Sequence, residues 1–255
     1  MTRLPKTDER VKVLWQKQLA PDVFALALAA PQIAKAAQPG QFVQLGVPGG
    51  VLLRRPLSIA DAAAEDGVLT LIYRVVGKGT ALLAALPEGA ALDCLGPLGH
   101  GFDLNCEAPL LVGGGMGVAP LLLLAKRLGG KADILMGGRN AQELFWTELF
   151  EGNVAETFIT TDDGSLGAKG FTIDLLPELL AKKAYDRVFV CGPQIMMEGV
   201  AKIAAERNVP CQVSLEKRMA CGIGACLSCT CESKDGGKRK KVCSDGPVFW
   251  AQEVL

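Results

Sequence analysis

Leu110-Leu111-Val112-Gly113-Gly114-Gly115-Met116-Gly117-Val118-Ala119-Pro120 reads as a buried strand, a glycine-rich turn and the start of a helix. Unbroken apolar character marks a strand covered on both faces. Pro120 suits a first helical turn, where its missing N–H costs little. The pattern continues on either side of the next turns. Strands are expected at 132–136, 157–161 and 187–190, and helices at 121–128, 141–150, 173–181 and 194–207. Strands alternating with helices imply a parallel, doubly wound sheet with helices on both faces, whose ligands bind at the carboxyl ends of the strands. Gly113, Gly114, Gly115 and Gly117 with Pro120 can therefore cradle a diphosphate at a helix start; a tight packing turn is the alternative. From Gly115 the loop is G-x-G-x-x-P, not the full dinucleotide fingerprint, and Gly137-Gly138-Arg139 stands where an acidic residue might hold a ribose hydroxyl. Arg139 keeps NADP open beside NAD. Cys191-Gly192-Pro193 and Thr161-Asp162-Asp163-Gly164-Ser165 end two further strands, so three loops could line one cleft.

Upstream, short β-like segments at 11–15, 23–28, 42–47 and 69–76 are separated by Pro and Gly, with one short helix at 80–86. Regular short strands suggest an antiparallel barrel. Within it, Arg55-Pro56-Leu57-Ser58 offers a guanidinium for a diphosphate and a hydroxyl for a ring heteroatom from one strand. The bland alternative is a strand end with two solvated arginines, Arg54 and Arg55. Ile72-Tyr73-Arg74 and Gly79-Thr80 give a second such site, the latter placing N–H groups toward an anion.

Downstream lies Cys221-Gly222-Ile223-Gly224-Ala225-Cys226-Leu227-Ser228-Cys229-Thr230-Cys231, answered by Cys243. The spacing C-x4-C-x2-C, then thirteen residues, then C, opens like the plant-type [2Fe–2S] pattern. Gly222 and Gly224 let backbone approach the sulfurs. We take Cys221, Cys226, Cys229 and Cys243 as ligands, with Cys231 a complication. Zinc usually shows two separated C-x2-C knuckles. A disulfide framework fits poorly with a long chain of nine cysteines. The remaining cysteines Cys94, Cys106 and Cys211 read as buried bystanders.

At 255 residues the chain holds two domains and an appendage, divided as 1–104, 105–210 and 211–255. Zero formal net charge argues against nucleic acid or a membrane surface as main partner. The polar start at 1–10 is no signal peptide, and the apolar run 110–125 is too short and broken to span a bilayer, so a soluble cytoplasmic protein is expected. His100 reads as a loop contact, 238–241 as the arm of a hairpin or a patch for an acidic partner face, and Asp245 as a turn closer.

Together these stretches resemble the ferredoxin-reductase family, which joins a flavin-binding barrel to a nicotinamide-binding α/β domain. Arg55-Pro56-Leu57-Ser58 is similar to its flavin motif, with Leu57 where Tyr is common, so that Tyr73 is the candidate for aromatic stacking. Gly113 to Pro120 and Cys191-Gly192-Pro193 are similar to its nicotinamide motifs; Cys191 would lie where that ring approaches the flavin. Glu216 to Cys226 with Lys241-Val242-Cys243-Ser244-Asp245-Gly246-Pro247-Val248-Phe249 resembles, more narrowly, the electron-transfer subunits of NAD-dependent (class 1B) dihydroorotate dehydrogenases. That resemblance implies FAD, a [2Fe–2S] cluster and NAD as cofactors. It also implies an FMN-containing catalytic partner, two of each chain, and a role in pyrimidine biosynthesis. Electrons from dihydroorotate would pass singly to the cluster, then to FAD, then as hydride to NAD+, with the cluster at the partner interface. A flavin/iron–sulfur NAD(P)H:ferredoxin oxidoreductase or a sulfhydrogenase subunit is the alternative in the same fold. A zinc-stabilised binding module is the alternative in another class.

Overall fold

The computed structural model describes residues 6–234, 236–237 and 239–255. Residues 1–5, on which the reading of the start rests, lie outside them, as do Asp235 and Lys238 of the basic hairpin.

Six strands close an antiparallel barrel in the order β1-β2-β5-β4-β3-β6. They are β1 (Thr7–Ala20), β2 (Val23–Ala29), β3 (Phe42–Leu45), β4 (Arg55–Ala63), β5 (Val68–Arg74) and β6 (Ala91–Leu98), with helix α1 (Pro31–Ala36) after β2 and α2 (Lys78–Ala84) after β5. Period-two alternation sends Val11, Val13, Leu26, Leu28, Val43, Leu45, Leu69 and Leu71 inward. Helix α1, anchored where Glu9 accepts the Gln32 and Ile33 N–H groups at 3.3 Å, adds the fully buried Ile33 to this core.

The second sheet runs β10-β9-β8-β7-β11-β12-β15. In chain order its parts and companions are β7 (Pro109–Gly114), α3 (Ala119–Leu128), β8 (Asp133–Gly138), α4 (Thr147–Phe150), β9 (Thr157–Thr161), β10 (Ala168–Lys169), α5 (Thr172–Lys182), β11 (Arg187–Cys191), α6 (Gln194–Glu206) and β12 (Cys211–Ser214). There follow the small hairpin β13 (Thr230–Cys231) and β14 (Lys240–Lys241), then β15 (Val248–Trp250) and α7 (Ala251–Val254). Strands β7 to β12 pair in parallel and only β15 runs against its neighbour. The two faces are visible in single strands: Leu111, Ile134 and Phe189 pack with α3, whereas Leu110, Val112, Leu135 and Val190 pack with α5 and α6. Chain order reverses between β7 and β11, the switch point at which open α/β sheets bind ligands.

Two expectations meet differences. The segment 141–150 is a 3₁₀ turn followed by α4 rather than one helix. Leu144, Trp146 and Phe150 are all buried, yet residues two apart on an α-helix point roughly 200° away from each other, so the chain breaks to bring them to one core. The division expected at 210/211 is crossed by the sheet, since β12 and β15 both belong to it. The cysteine segment is thus tied down at both ends.

Helix α3 is wedged between the units. Leu121, Leu122 and Ala125 share a cluster with Val23, Ala25, Ala60 and Ile72 of the barrel's outer face, and Lys126 pairs with Asp61 of β4. The loop after β6 docks on the C-terminal segment: His100 N–H donates to Gly246 O at 2.6 Å. Among the described residues no helix is long and apolar enough to cross a membrane.

Candidate functional site: three cavities and a cysteine centre

Strand β4 presents Arg55, Pro56, Leu57 and Ser58 along a cavity of about 470 Å³, whose other walls include Ile72, Tyr73, Arg74, Thr80, Met116 and Met219. Arg55 lies across the first turn of α2, because Gly79 has no side chain to block it. Its Nη2 donates to Leu53 O at 2.5 Å, and among the described residues it makes no ion pair, which leaves a cation facing a cavity. Thr80 is mainly structural. Its hydroxyl accepts the N–H groups of Val76 and Gly77 and donates to Gly77 O, fixing the entry to α2. Tyr73 does not offer the free ring expected of it. It is 2% exposed, its ring already stacks on Phe24, and its hydroxyl donates to Gln16 at 2.8 Å. Burial pushes the phenol well above its ordinary pKa. Leu57, on the cavity wall, supplies apolar surface instead.

The glycine loop serves two purposes. A Cβ on Gly117 would stand 2.5 Å from Gly192 N and 2.6 Å from Cys191 O, and one on Gly114 2.6 Å from Met196 Sδ. A Cβ on Gly113 would meet Val118 at 2.8 Å. Gly117 thus lets the loops after β7 and β11 press backbone on backbone, while Gly114 leaves room for the Met196 side chain and Gly113 for Val118 of its own loop. Gly115 is different: its φ is +56° and nothing lies within 4 Å of a built Cβ. It faces open space shared by two cavities, of about 690 and 670 Å³. Gly192 and Pro193 also line the larger. Pro120 is fully inside the first turn of α3 and Cys191 is 2% exposed behind Gly192; neither lines the three cavities. Burial raises the Cys191 thiol well above its usual pKa, against the neighbouring Ser214 hydrogen bond. Cys94 and Cys211 are buried too, their thiols pushed up to about 12.

The 670 Å³ cavity is lined by four strand ends: Gly114-Gly115, Gly137-Gly138-Arg139, Thr160 with Asp162, and Pro193. Phe171 and Ile195 stand at its rim, 59% and 80% exposed, apolar groups that a flat ring would cover. An acidic group does reach the end of β8, from four residues further on. Glu143 accepts the Arg139 backbone N–H at 3.0 Å and Arg139 Nε at 2.8 Å. The Arg139 side-chain hydrogen bond, stronger than the opposing effect of burial, keeps the Glu143 carboxyl below its usual range. Sequence reading missed Glu143, Phe171 and Ile195. Neither of the last two stands out in a sequence where Phe171 precedes Ile173 and Ile195 precedes Met196 and Met197. Arg74 lines all three cavities, and Glu216 and Lys217 line the wall between two of them.

In the cysteine segment, Cys221 Sγ accepts the N–H groups of Ile223 at 3.5 Å and Cys226 at 3.4 Å, and Cys229 Sγ accepts Cys243 N–H at 3.4 Å. Burial opposes ionisation of Cys221, yet those N–H donors with the Cys226 thiol hold it down at about 6. The thiols form two interacting pairs, Cys221 with Cys226 and Cys229 with Cys243, and Cys221 is close enough to Cys243 to affect it. Among the described residues no three His, Cys, Asp or Glu side chains converge as a single ion requires. Two such pairs match the thiolate count of a two-iron centre, two per iron. Gly222 and Gly224 have φ of +70° and +86°, and built Cβ atoms there would lie 2.6 Å from Gln44 Cγ and 2.8 Å from Ser244 Oγ, so the loop wraps without side chains. Cys231 stands apart in β13, lining the 690 Å³ cavity. Asp245 closes its turn by accepting Lys241 N–H at 2.7 Å, and Lys240-Lys241 form the hairpin arm.

A barrel with a cationic strand, a switch-point cleft and a four-cysteine appendage define a ferredoxin-reductase-like electron-transfer protein with an iron–sulfur centre. Residues 216–255 match the family described as the iron–sulfur cluster binding domain of dihydroorotate dehydrogenase B. Over 250 residues, 96% of this chain and 98% of the relative, the chain is 41% identical to the dihydroorotate dehydrogenase B (NAD(+)) electron transfer subunit of Caldanaerobacter subterraneus subsp. tengcongensis. It is 40% identical to that of Enterococcus faecalis strain V583, covering 99% of this chain and all of the relative. A chain of the NADH-dependent reduced ferredoxin–NADP oxidoreductase superposes with a TM-score of 0.87 at 34% identity, covering 96% of this chain and 89% of that one. A ferredoxin NADP+ reductase from Neisseria gonorrhoeae, at 20% identity and TM-score 0.64 over 78% of this chain and 91% of that one, shares the fold. The chain belongs to the family of dihydroorotate dehydrogenase B (NAD+) electron transfer subunits, and is an oxidoreductase component that works with a catalytic partner chain.

Proposed function

We propose that this chain takes electrons from an FMN-containing subunit that oxidises dihydroorotate to orotate, and delivers them to NAD+ for pyrimidine biosynthesis. FAD, a [2Fe–2S] cluster and NAD are its cofactors. When bound, the flavin links one-electron traffic with an iron–sulfur centre to hydride exchange with a nicotinamide. The division is 1–104 for FAD, 105–210 for the nicotinamide and 211–255 for the cluster, the last sharing strands with the second sheet.

The chain's own residues bind, orient and insulate. Arg55 holds the flavin diphosphate and Ser58 the ring edge, with Leu57 and Ile72 as apolar walls. Gly115 and the N–H groups behind it receive the nicotinamide diphosphate, with Gly192 and Pro193 opposite and Phe171 and Ile195 around the adenine. Cys221, Cys226, Cys229 and Cys243 hold the cluster. Charge-assisted hydrogen bonds of Arg74, common to all three cavities, bring the two nucleotides together. The observation that carries the reading is this continuity: Leu215, Glu216, Lys217 and Met219, the lead into Cys221, are walls of the cavity that Arg55 faces. A cluster held by that segment sits beside the flavin site and can meet the partner from the exposed side, where Ile223, Cys226 and Leu227 are open.

Purification from the native cell tests it. A stable FMN protein, two of each chain, with dihydroorotate:NAD+ activity is the expected result. A ferredoxin-linked partner would favour the second reading, an NAD(P)H:ferredoxin oxidoreductase, which the likeness to the reduced ferredoxin–NADP oxidoreductase chain supports. Stoichiometric zinc without flavin or iron would mean the binding-module alternative.

A further inference from the structure

Gln44 is a buried amide with nothing to bond. It lies in β3, is 0% exposed, and neither its Nε2 nor its Oε1 has a hydrogen-bond partner among the described residues. Its backbone registers opposite Pro56 of the flavin strand on one side and Leu95 on the other. The alternation of β3 turns Val43 and Leu45 into the barrel and Phe42 outward, into the cluster that contains Leu98, Cys229 and Cys243. Gln44 shares that outward parity, so it sits on the barrel face covered by the cysteine segment.

Contact with the cysteine loop is direct. A Cβ added to Gly222 would stand 2.6 Å from Gln44 Cγ, 2.8 Å from Nε2 and 3.1 Å from Cδ. Gln44 does not line the cavity that Arg55 faces, so the flavin is not its partner. An amide buried without a partner loses its hydration and recovers nothing, and apolar Leu or Met would fill the same place at lower cost. The group completing it therefore belongs to the centre carried by the loop. That centre is anionic and its sulfurs accept hydrogen bonds, which an amide N–H can supply.

We propose that Gln44 Nε2 donates a hydrogen bond to a sulfur of the [2Fe–2S] centre, so that a residue of the flavin-binding barrel sets the cluster's reduction potential. Reduction adds negative charge to the sulfurs, and a donor stabilises that state more than the oxidised one. The inference rests on the cysteine ligand set proposed above.

The test uses the purified chain with both cofactors. Gln44→Met and Gln44→Leu are compared with the unaltered protein by EPR-monitored redox titration, and the unaltered protein labelled with [15N]glutamine is examined by pulsed EPR. The variants are expected to keep full iron and FAD content with a more negative cluster midpoint. The reduced cluster of the unaltered protein is expected to couple to a side-chain amide nitrogen and an exchangeable proton, both lost in the variants. An unshifted midpoint in an iron-replete variant overturns the proposal. Where both variants fail to assemble the cluster, the label decides: a coupled glutamine nitrogen supports the bond and its absence refutes it. Absence of any [2Fe–2S] signal in the unaltered protein removes the ligand set itself, and this inference with it.

Discussion

A methyl group on Gly79 would stand 2.3 Å from Arg55 Nη1 and 2.9 Å from its Cδ. The two positions are therefore one binding element. Arg55→Ala removes the cation, and Gly79→Ala displaces it. Both are expected to weaken FAD retention by about 10- to 100-fold, the ~1.5–3 kcal/mol of hydrogen bonds to a charged group. FAD fluorescence on dilution reads this, and unchanged affinity in Gly79→Ala would show that the guanidinium acts from another position. Glu143 carries a second prediction. Its carboxylate occupies Arg139, so the guanidinium that could receive a 2′-phosphate is neutralised and a carboxylate stands ready for a ribose hydroxyl. Glu143→Gln is expected to raise the NADPH-to-NADH ratio of kcat/KM by about tenfold, with 2′,5′-ADP binding improved in parallel. At this scale the sequence revealed what was contiguous. Arg55-Pro56-Leu57-Ser58 could be read because strand, cation and hydroxyl are consecutive. Glu143 could not, because it lies beyond a capped turn at Asn140 and folds back. Tyr73 lines the cavity as expected, but its parity along β5 also turns its ring onto Phe24, a tertiary contact that no local pattern reveals.

In the proposed function nicotinamide binding rests on the loops after β7 and β11, and Gly117 is where they touch. The atoms it would meet as alanine are the backbone of Cys191 and Gly192, which cannot rotate away as a side chain would. Gly117→Ala is expected to destabilise by ~1–3 kcal/mol, as overpacking does. Melting should fall by about 2–4 °C per kcal/mol for a chain of this size. The KM for NADH should rise while FAD content stays near that of the unaltered chain, since Arg55 and α2 are untouched. Equal loss of FAD would mean that the loops and the barrel fold as one unit. Elements with strong periodicity were legible, from β7 with its glycine turn to α6. Those decided by tertiary packing were not. The 141–150 segment looks like a helix until three buried side chains on incompatible faces demand a break. Strands β12 and β15 are short, and only the register Val213↔Phe249 shows that the C-terminal segment completes the second sheet.

Across the molecule, the arrangement separates two exchanges that share one flavin site. The cleft of Gly115, Pro193 and Phe171 opens from the second sheet, while the cysteine loop lies over the barrel face of Phe42 and Gln44. The two meet along a wall that includes Arg74, Met116, Leu215, Glu216 and Lys217. Each exchange should then be removable without the other. Cys226 is the ligand to change, because it is exposed and its removal leaves no buried void. Anaerobically purified chain is expected to carry about two irons per FAD, and Cys226→Ala to lose the iron while keeping the flavin. With the catalytic partner present, the variant should lose dihydroorotate:NAD+ activity by several orders of magnitude, yet NADH should still reduce its FAD and an artificial dye at close to the unaltered rate. Iron and flavin analysis, followed by the two assays on one preparation, checks this. Loss of both activities together would mean that the cysteine segment supports nicotinamide binding as well. An intact cluster would take Cys226 out of the ligand set and return Cys231, the buried thiol of β13, to consideration as the fourth ligand.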